Sequence, residues 1–181
     1  DLAQLREFAR SELGIADLQP WDMTYASDQL KQQRYALSQE DLKPYFPAPK
    51  VIDGLFAVAQ RLFGISIVPA PELQSYHADV STWALVEYGE VRAYFYLDLY
   101  ARAHKRGGAW MADARVRRRH ADGTLQKPIA FLTGNFNPPV AGRPALLSHD
   151  EVTTLFHEFG HGIHHMLTEV EVAAVSGING V

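Results

Sequence analysis

The sequence predicts a predominantly helical α+β fold in which a small, mostly antiparallel sheet separates a helical part from a long final helix. Three observations predict this order. Apolar residues recur at helical spacing in residues 1–64, β-branched and aromatic runs alternate with turn residues in residues 65–136, and residues 148–168 form a capped amphipathic segment. A chain of 181 residues can bury one sizeable core, so we expect a single domain.

Four helices are predicted in the helical part. Apolar spacing and a terminal glycine define the first helix through Leu2, Leu5, Phe8, Ala9 and Gly14. The second helix extends from Trp21 to Leu37. Ser38 and, three residues later, Asp41 are a variant of the capping box and indicate the start of the third helix. The prolines in residues 44–49 predict a non-helical stretch, because each disfavours a helical conformation in the residue before it. Val51 to Phe63 then forms the fourth helix.

Five strands are predicted in the sheet. They are Ile65 to Val68, Val80 to Tyr88, Val91 to Leu99, Ala112 to Arg119 and Ile129 to Asn135. Hairpin connections are expected at residues 87–90 and 120–123, and the Asp-Gly pair makes the second the stronger signal. Two-residue hairpins join antiparallel strands, so the sheet is predicted to be mostly antiparallel.

The composition excludes several classes of function. The chain has no cysteine, which rules out disulfides, thiolate metal ligands and a cysteine nucleophile. Its net charge of −4 argues against nucleic acid as the main partner. No apolar run approaches the roughly 20 residues of a membrane span, and the first residues lack the features of a signal peptide. We therefore expect a cytoplasmic protein that does not bind membranes.

Basic residues cluster at two places in this acidic chain. They are Arg102, Lys105 and Arg106, and then Arg115, Arg117, Arg118 and Arg119. We interpret them as a solvated hairpin edge, since the overall charge is negative. The alternative is a polyanion site, which predicts salt-sensitive retention on heparin.

The final helix is predicted from His149 to about Leu167. Ser148 and Glu151 have the capping-box spacing and mark its start. Apolar residues then recur at helical spacing at Val152, Leu155, Phe156, Phe159, Ile163, Met166 and Leu167. One face of this helix is therefore expected to pack on the core, while the other carries polar residues.

Within this helix lies the HExxH pattern His157-Glu158-Phe159-Gly160-His161. Histidines four residues apart share a helix face, so both imidazoles can bind one zinc ion. Glu158 follows His157 directly and so lies about 100° from it round the helix axis. From there it can take a proton from a zinc-bound water. In a chain of this length and composition, the HExxH pattern is expected to occur by chance about 0.02 times. We predict His157 and His161 as metal ligands and Glu158 as the catalytic base. The alternative is a core helix whose histidines have ordinary hydrogen-bond partners.

Other residues of the helix receive supporting roles. Gly160 costs about 1 kcal/mol relative to Ala, and we interpret it as permitting the close approach of another backbone or of substrate. His165 continues the row of His161, but it lies about 12 Å from His157 along the axis, too far to share one ion. We expect both His164 and His165 to be structural or to support the ligands.

A catalytic zinc has three protein ligands and a water, and the third ligand is not evident. The acids that follow His161 are Glu169 and Glu171, and they point away from the ligand row. Neither is expected to close the site. The chain then ends in a turn-rich segment without a stop signal, so we expect it to be truncated.

At these residues the sequence resembles the thimet oligopeptidase family of zinc peptidases. The resemblance covers essentially the whole chain. Its matching stretches are Leu18 to Asp22, Pro44 to Pro47, Tyr94 to Arg102, Lys105 to Trp110, Asn135 to Phe136, Arg143 to Leu146, Thr154 to Gly162 and Val175 to Gly177. Together they are more specific than the zinc motif alone. The resemblance implies a zincin-like catalytic domain, of which this chain is a part.

The resemblance also implies roles for individual residues. His157 and His161 would bind one Zn²⁺ per active site, with Glu158 as general base. The third ligand would be a glutamate on a following helix, beyond Val181. The family's deep channel admits only short, unfolded peptides. Two interpretations stay open for the strand that ends at residues 134–136: the edge that pairs with substrate backbone, or an ordinary sheet strand.

We therefore expect a zinc-dependent oligopeptidase that hydrolyses short peptides. Without the third ligand, the isolated chain is expected to bind zinc weakly and to show little or no turnover. One alternative is a peptidyl-dipeptidase of the same family, which removes dipeptides from C-termini. Another is a non-catalytic peptide-binding fragment.

Overall fold

The computed structural model describes residues 1–36 and 38–180. These residues form two compact units, of which one comprises residues 1–45 and the other begins at Phe46. The fourth predicted helix therefore belongs to the same unit as the sheet, and not with the first three helices.

The first unit is helical, as predicted. Its elements are α1 (Leu2–Glu12), α2 (Met23–Tyr35), α3 (Gln39–Leu42) and the 3-10 helix Lys43–Tyr45. Leu5 and Ala9 of α1 are buried with Ala26 of α2 in a small apolar core. This core is the expected result of apolar residues at helical spacing on both helices.

The start of α3 confirms the predicted cap, whereas α2 is shorter than predicted. The Ser38 hydroxyl accepts a hydrogen bond from the Asp41 backbone N–H at 3.2 Å, and the Asp41 carboxylate accepts one from the Ser38 N–H at 3.0 Å. The second helix begins at Met23 instead of Trp21, and Ala36 has a left-handed φ of 51° that ends it. Leu37, the predicted end, lies outside the described residues.

In the second unit, α4 spans Ala48–Phe63 and corrects the prediction of a non-helical stretch over residues 44–49. Pro47 is the N-cap, and Pro49 lies in the first turn of the helix. A proline is tolerated there because the first N–H groups of a helix have no intrahelical acceptor. The predicted end is confirmed, since Gly64 has a left-handed φ of 68° and donates its N–H to the Gln60 carbonyl at 2.9 Å.

The strands form a mixed five-stranded sheet and a separate short hairpin. The strands are β1 (Ser66–Pro69), β2 (Ser81–Glu87), β3 (Glu90–Tyr100), β4 (Trp110–Arg115), β5 (Arg118–Arg119), β6 (Leu125–Gln126) and β7 (Ile129–Phe136). The order in the larger sheet is β1-β2-β3-β7-β4, and its pairs are antiparallel except for β3 with β7. The prediction of a mostly antiparallel sheet is therefore confirmed.

Both predicted hairpins are present. β2 and β3 are joined by Tyr88 and Gly89, whose φ values of 52° and 81° are the left-handed values of a two-residue hairpin turn. β5 pairs antiparallel with β6 across the Asp-Gly turn. The predicted fourth strand, Ala112 to Arg119, is divided into β4 and β5, which belong to different sheets.

The last helix, α5, spans His149–Leu167, as predicted. Phe159 and Ile163 of α5 lie in the main core with Phe95 and Leu132 of the sheet. α5 contacts β3, β4 and β7. The described elements thus give an α+β fold in which more residues are helical than extended.

None of the helices in the described residues is long and apolar enough to cross a membrane.

Candidate functional site

The start of α5 is held by the capping box that the sequence predicts. The Ser148 hydroxyl accepts a hydrogen bond from the Glu151 N–H at 3.1 Å. The Glu151 carboxylate accepts one from the Ser148 N–H at 2.7 Å. These bonds satisfy backbone donors at the helix N-terminus, and they set the position from which every side chain of α5 projects.

His157 and His161 are brought together on an exposed face of α5. Their Nε2 atoms lie 3.1 Å apart and their ring centroids 4.7 Å apart. Two nitrogen ligands of a tetrahedral zinc ion, each about 2.0–2.1 Å from the metal, are separated by about 3.3 Å. The two imidazole nitrogens therefore converge at a spacing that suits a single zinc ion.

Glu158 is half-buried on a different side of α5. It is seven residues before His165, and a spacing of seven places both side chains on nearly the same side of a helix. The imidazole Nε2 of His165 lies 2.8 Å from the carbonyl oxygen of Arg115, the last residue of β4. Glu158 therefore lies on the side of α5 that faces β4, next to the two histidines.

The described residues contain no third metal ligand beside this pair, since no group of three or more His, Cys, Asp or Glu side chains there could hold a metal. Glu171 is engaged by Arg117 at 3.0 Å and by Arg119 at 2.6 Å. Its hydrogen bond from Arg119 holds the pKa of Glu171 below its usual value. Glu169 lies 3.7 Å from Arg92. Both acids thus have basic partners within the described residues.

The two further histidines of α5 differ in their surroundings. His164 is exposed, whereas His165 is fully buried and hydrogen-bonded to the Arg115 carbonyl. The burial and the backbone hydrogen bond of His165 are compatible with the structural role that we expect for it.

The strand leading to residues 134–136 is not an edge strand. This strand, β7, lies between β3 and β4 and is hydrogen-bonded to both. Its backbone is therefore used within the sheet, which corrects the idea that it pairs with substrate. On the α5 side the outer strand is β4, which has a strand neighbour on one side only within the described residues.

No other segment of the described structure approaches Gly160 closely, so the interpretation of this glycine stays a prediction for substrate or for a segment outside this chain. A Cβ added at Gly160 would have nothing within 4 Å, and the residue lines an apolar groove between α4 and α5. The close contact is at Gly162, where a Cβ would lie 3.0 Å from Leu132 Cδ2. Gly162 is thus the glycine that brings α5 close to β7.

Two of the basic residues after β3, Arg102 and Lys105, are paired with a carboxylate, which corrects their interpretation as a solvated edge, whereas Arg106 is exposed. Asp98, nearly buried, accepts hydrogen bonds from Arg102 at 2.7 Å, from Lys105 at 2.8 Å and from the Tyr76 hydroxyl at 2.9 Å. Burial works to raise the pKa of Asp98, but these donors lower it to about 2. Burial and the bond to Asp98 raise the pKa of Tyr76 to about 12.

The sequence did not predict this Asp98 cluster, which consists of Asp98, Tyr76, Arg102 and Lys105. Its members are spread over 30 positions, and they match no known ligand pattern. Arg117 is also buried and paired with Glu171. Arg102, Lys105, Arg117 and Arg119 are thus engaged by carboxylates, whereas Arg106, Arg115 and Arg118 are exposed, as expected of a solvated edge.

An HExxH pattern on a helix is typical of metallopeptidases. Comparison with known proteins gives the family. The profile described as Peptidase family M3 matches residues 1–181, and the chain belongs to that family. The resemblance found in the sequence is thus confirmed.

Known relatives include both kinds of peptidase considered above. Oligopeptidase A of Salmonella typhimurium and that of Escherichia coli are each 57% identical over 182 residues, which cover 100% of this chain and 27% of the relative. The dipeptidyl carboxypeptidase of Escherichia coli is 37% identical over 183 residues, covering 99% of this chain and 26% of the relative. The chain thus spans about a quarter of the length of the relatives it matches.

Proposed function

We propose that the full-length protein is a zinc-dependent metalloendopeptidase, an oligopeptidase that hydrolyses short peptides. The observation that carries the proposal is the 3.1 Å separation of the His157 and His161 Nε2 atoms, with Glu158 on the adjoining face towards β4. Membership of Peptidase family M3 supports peptide hydrolysis. The 57% identity to oligopeptidase A supports short peptides as the substrates.

His157 and His161 would hold the zinc ion through their Nε2 atoms. A zinc ion in such a site supplies an activated water and polarises the scissile carbonyl. The Glu158 carboxylate would accept a proton at one of its oxygens and return it to the departing amine nitrogen. Its half-buried position on the side of α5 that faces β4 suits this role, since a peptide added to β4 would lie along that side of the helix.

β4 would hold the peptide. An extended peptide can add to the free side of an outer strand through main-chain hydrogen bonds, which are independent of side-chain identity. Such binding suits an enzyme that accepts many peptide sequences. β4 also contacts α5 directly, so a peptide on β4 would lie along the helix that carries Glu158.

The zincin-like fold, the cytoplasmic location and the third ligand on a following helix belong to the same proposal. For the isolated 181-residue chain we propose weak zinc binding and little or no turnover, because a catalytic zinc requires three protein ligands and the described residues supply two.

A peptidyl-dipeptidase is the second candidate, and the 37% identity to a dipeptidyl carboxypeptidase supports it. The higher identity to oligopeptidase A favours the endopeptidase. A non-catalytic peptide-binding role is the third candidate and has no separate observation in its favour.

The test is the cleavage of a quenched fluorogenic oligopeptide by the full-length protein, with Glu158→Gln as the variant. The glutamine keeps the size and a hydrogen-bonding group but cannot accept the proton. We expect cleavage to be lost while the zinc content is unchanged. Full cleavage by the variant, or none by the zinc-loaded wild type, would leave peptide binding without catalysis as the better explanation.

A further inference from the structure

His165 occupies an unusual position for a histidine. Its side chain is 0% exposed, and its Nδ1 atom has no hydrogen-bond partner among the described residues. Its Nε2 atom lies 2.8 Å from the Arg115 carbonyl oxygen. A carbonyl only accepts, so the Nε2–H of His165 donates this bond. A buried polar atom without a partner is costly, so the position calls for a specific reason.

The acceptor of this bond is at an irregular point of β4. The pairing of β4 with β7 is regular up to Asp113 and resumes at Arg115, so Ala114 is an extra residue in the strand. Such a bulge disrupts the ladder and bends the strand. The Arg115 carbonyl lies directly after this bulge. Its hydrogen bond from the imidazole of His165 connects this part of β4 to α5.

A second group holds the imidazole from the other side. A Cβ added to Gly177 would lie 2.7 Å from His165 Nδ1 and 3.0 Å from His165 Cα, and Gly177 has a left-handed φ of 61°. The Gly177 N–H donates to the Thr168 hydroxyl at 3.2 Å. The backbone of the segment after α5 is thus folded closely over His165.

The direction of β4 along α5 follows from two contacts. Gly162 of α5 packs against Leu132, whose partner in β4 is Met111. Three residues further along the helix, His165 binds Arg115. β4 and α5 therefore run alongside each other in the same direction, and the earlier residue Glu158 lies towards the beginning of β4.

We propose that His165 is a positioning residue, which fixes the bulged end of β4 against the side of α5 that carries Glu158. The inference rests on the proposed function, because it concerns the placement of a peptide that pairs with β4. A shift of the strand along or away from α5 would displace the bound peptide from the Glu158 carboxylate. Displacement of a reacting group by about 1 Å can lower the rate of an enzyme about 100-fold.

The test compares His165→Gln with His165→Met in the full-length, zinc-loaded protein. Glutamine and methionine have similar length and shape, but only glutamine can donate a hydrogen bond to the Arg115 carbonyl. We expect His165→Met to lose about 10- to 100-fold in kcat, with a smaller change in KM and unchanged zinc content. His165→Gln retains most of the wild-type kcat.

Comparison of these two variants distinguishes a positioning role of His165 from a role in stability alone. Methionine fills the buried space but leaves the Arg115 carbonyl without its donor, whereas glutamine supplies a donor and buries an additional carbonyl. A role in stability alone therefore predicts that the two variants differ from the wild type in Tm but have the wild-type kcat when assayed well below their Tm, and that result would overturn the proposal. Met166→Ala, which removes a neighbouring buried side chain, is the control: it lowers the Tm but leaves kcat near that of the wild type.

Hydrogen exchange supplies a measurement that does not depend on activity. In the zinc-free protein, we expect the amides of residues 110–117 to exchange faster in His165→Met than in His165→Gln. Equal exchange in the two variants counts against the proposal. Glu158→Gln is measured in parallel: if it still cleaves peptide, the proposed function itself fails, whereas an inactive Glu158→Gln with equally active His165 variants refutes only the positioning role.

Discussion

The Nε2 atoms of His157 and His161 lie 3.1 Å apart on consecutive turns of α5. The four-residue spacing on α5 places them on one exposed face, and the capping box at Ser148 holds the helix that carries them. In the proposed zinc site the pair would reach one ion without either ring leaving the helix face.

Zinc binding should therefore depend strongly on each histidine. We expect His161→Ala in the full-length protein to weaken zinc binding by more than the roughly 10- to 100-fold that follows the loss of a supporting partner. The measurement is zinc content after dialysis against a graded chelator. His120→Ala, in the turn between β5 and β6, is the control and should retain zinc. Full retention of zinc by His161→Ala would remove this residue from the ligand set.

Substitution of the two glycines of α5 by alanine is expected to have opposite effects on stability. At Gly160 an added Cβ meets open space, so Gly160→Ala should stabilise the protein by up to about 1 kcal/mol through helix propensity. At Gly162 the Cβ would lie 3.0 Å from Leu132 Cδ2, and overpacking costs about 1–3 kcal/mol. Gly162→Ala should therefore unfold at a lower temperature than Gly160→Ala. In the full-length protein, a destabilising Gly160→Ala would mean that a segment outside this chain packs against the groove.

The Asp98 cluster predicts a contribution to stability that is lost in acid. Because the pKa of Asp98 is lowered from 3.8 to about 2, its folded state favours the ionised form. The stabilisation is present above pH 4 or so and disappears as the pH falls towards 2. Asp98→Asn leaves Lys105 and Arg102 without their carboxylate, so we expect a loss of about 3 kcal/mol at neutral pH.

Thermal unfolding between pH 2 and 7 measures this effect. The Tm of the wild type should fall steeply below pH 4. The Tm of Asp98→Asn should be lower at neutral pH and should fall less steeply in acid. Asp28→Asn is the matched control, because Asp28 is exposed and has no ion pair in the described residues. Parallel acid curves for the wild type and Asp98→Asn would refute the role of this carboxylate.

Cleavage of a peptide with an amidated C-terminus separates the two peptidase candidates. An oligopeptidase that binds peptide backbone along β4 has no need of a free carboxylate, so we expect the amidated peptide to be cut at an internal bond. The measurement is mass spectrometry of the products, with the same peptide bearing a free carboxylate as the control. Release of a dipeptide from the free peptide, with no cleavage of the amidated one, would favour the peptidyl-dipeptidase.

Local patterns in the sequence determined the elements and much of the candidate site. Capping boxes, helical spacing and hairpin turns depend on residues a few positions apart, so α5, α3 and both hairpins were predicted correctly. The position of His157 and His161 on one face of α5 likewise follows from helix geometry alone. The error over Pro49 was also local, since the first turn of a helix tolerates proline.

The tertiary structure decided which strand is outermost and which residues meet across the fold. β7 was predicted as a strand, but its position between β3 and β4 depends on a parallel pairing between segments far apart in sequence. The bond from His165 to Arg115 joins residues 50 positions apart, and the Tyr76 bond to Asp98 spans 22. Such contacts are set by how the whole core packs, because local propensity does not determine which distant groups come within hydrogen-bonding distance.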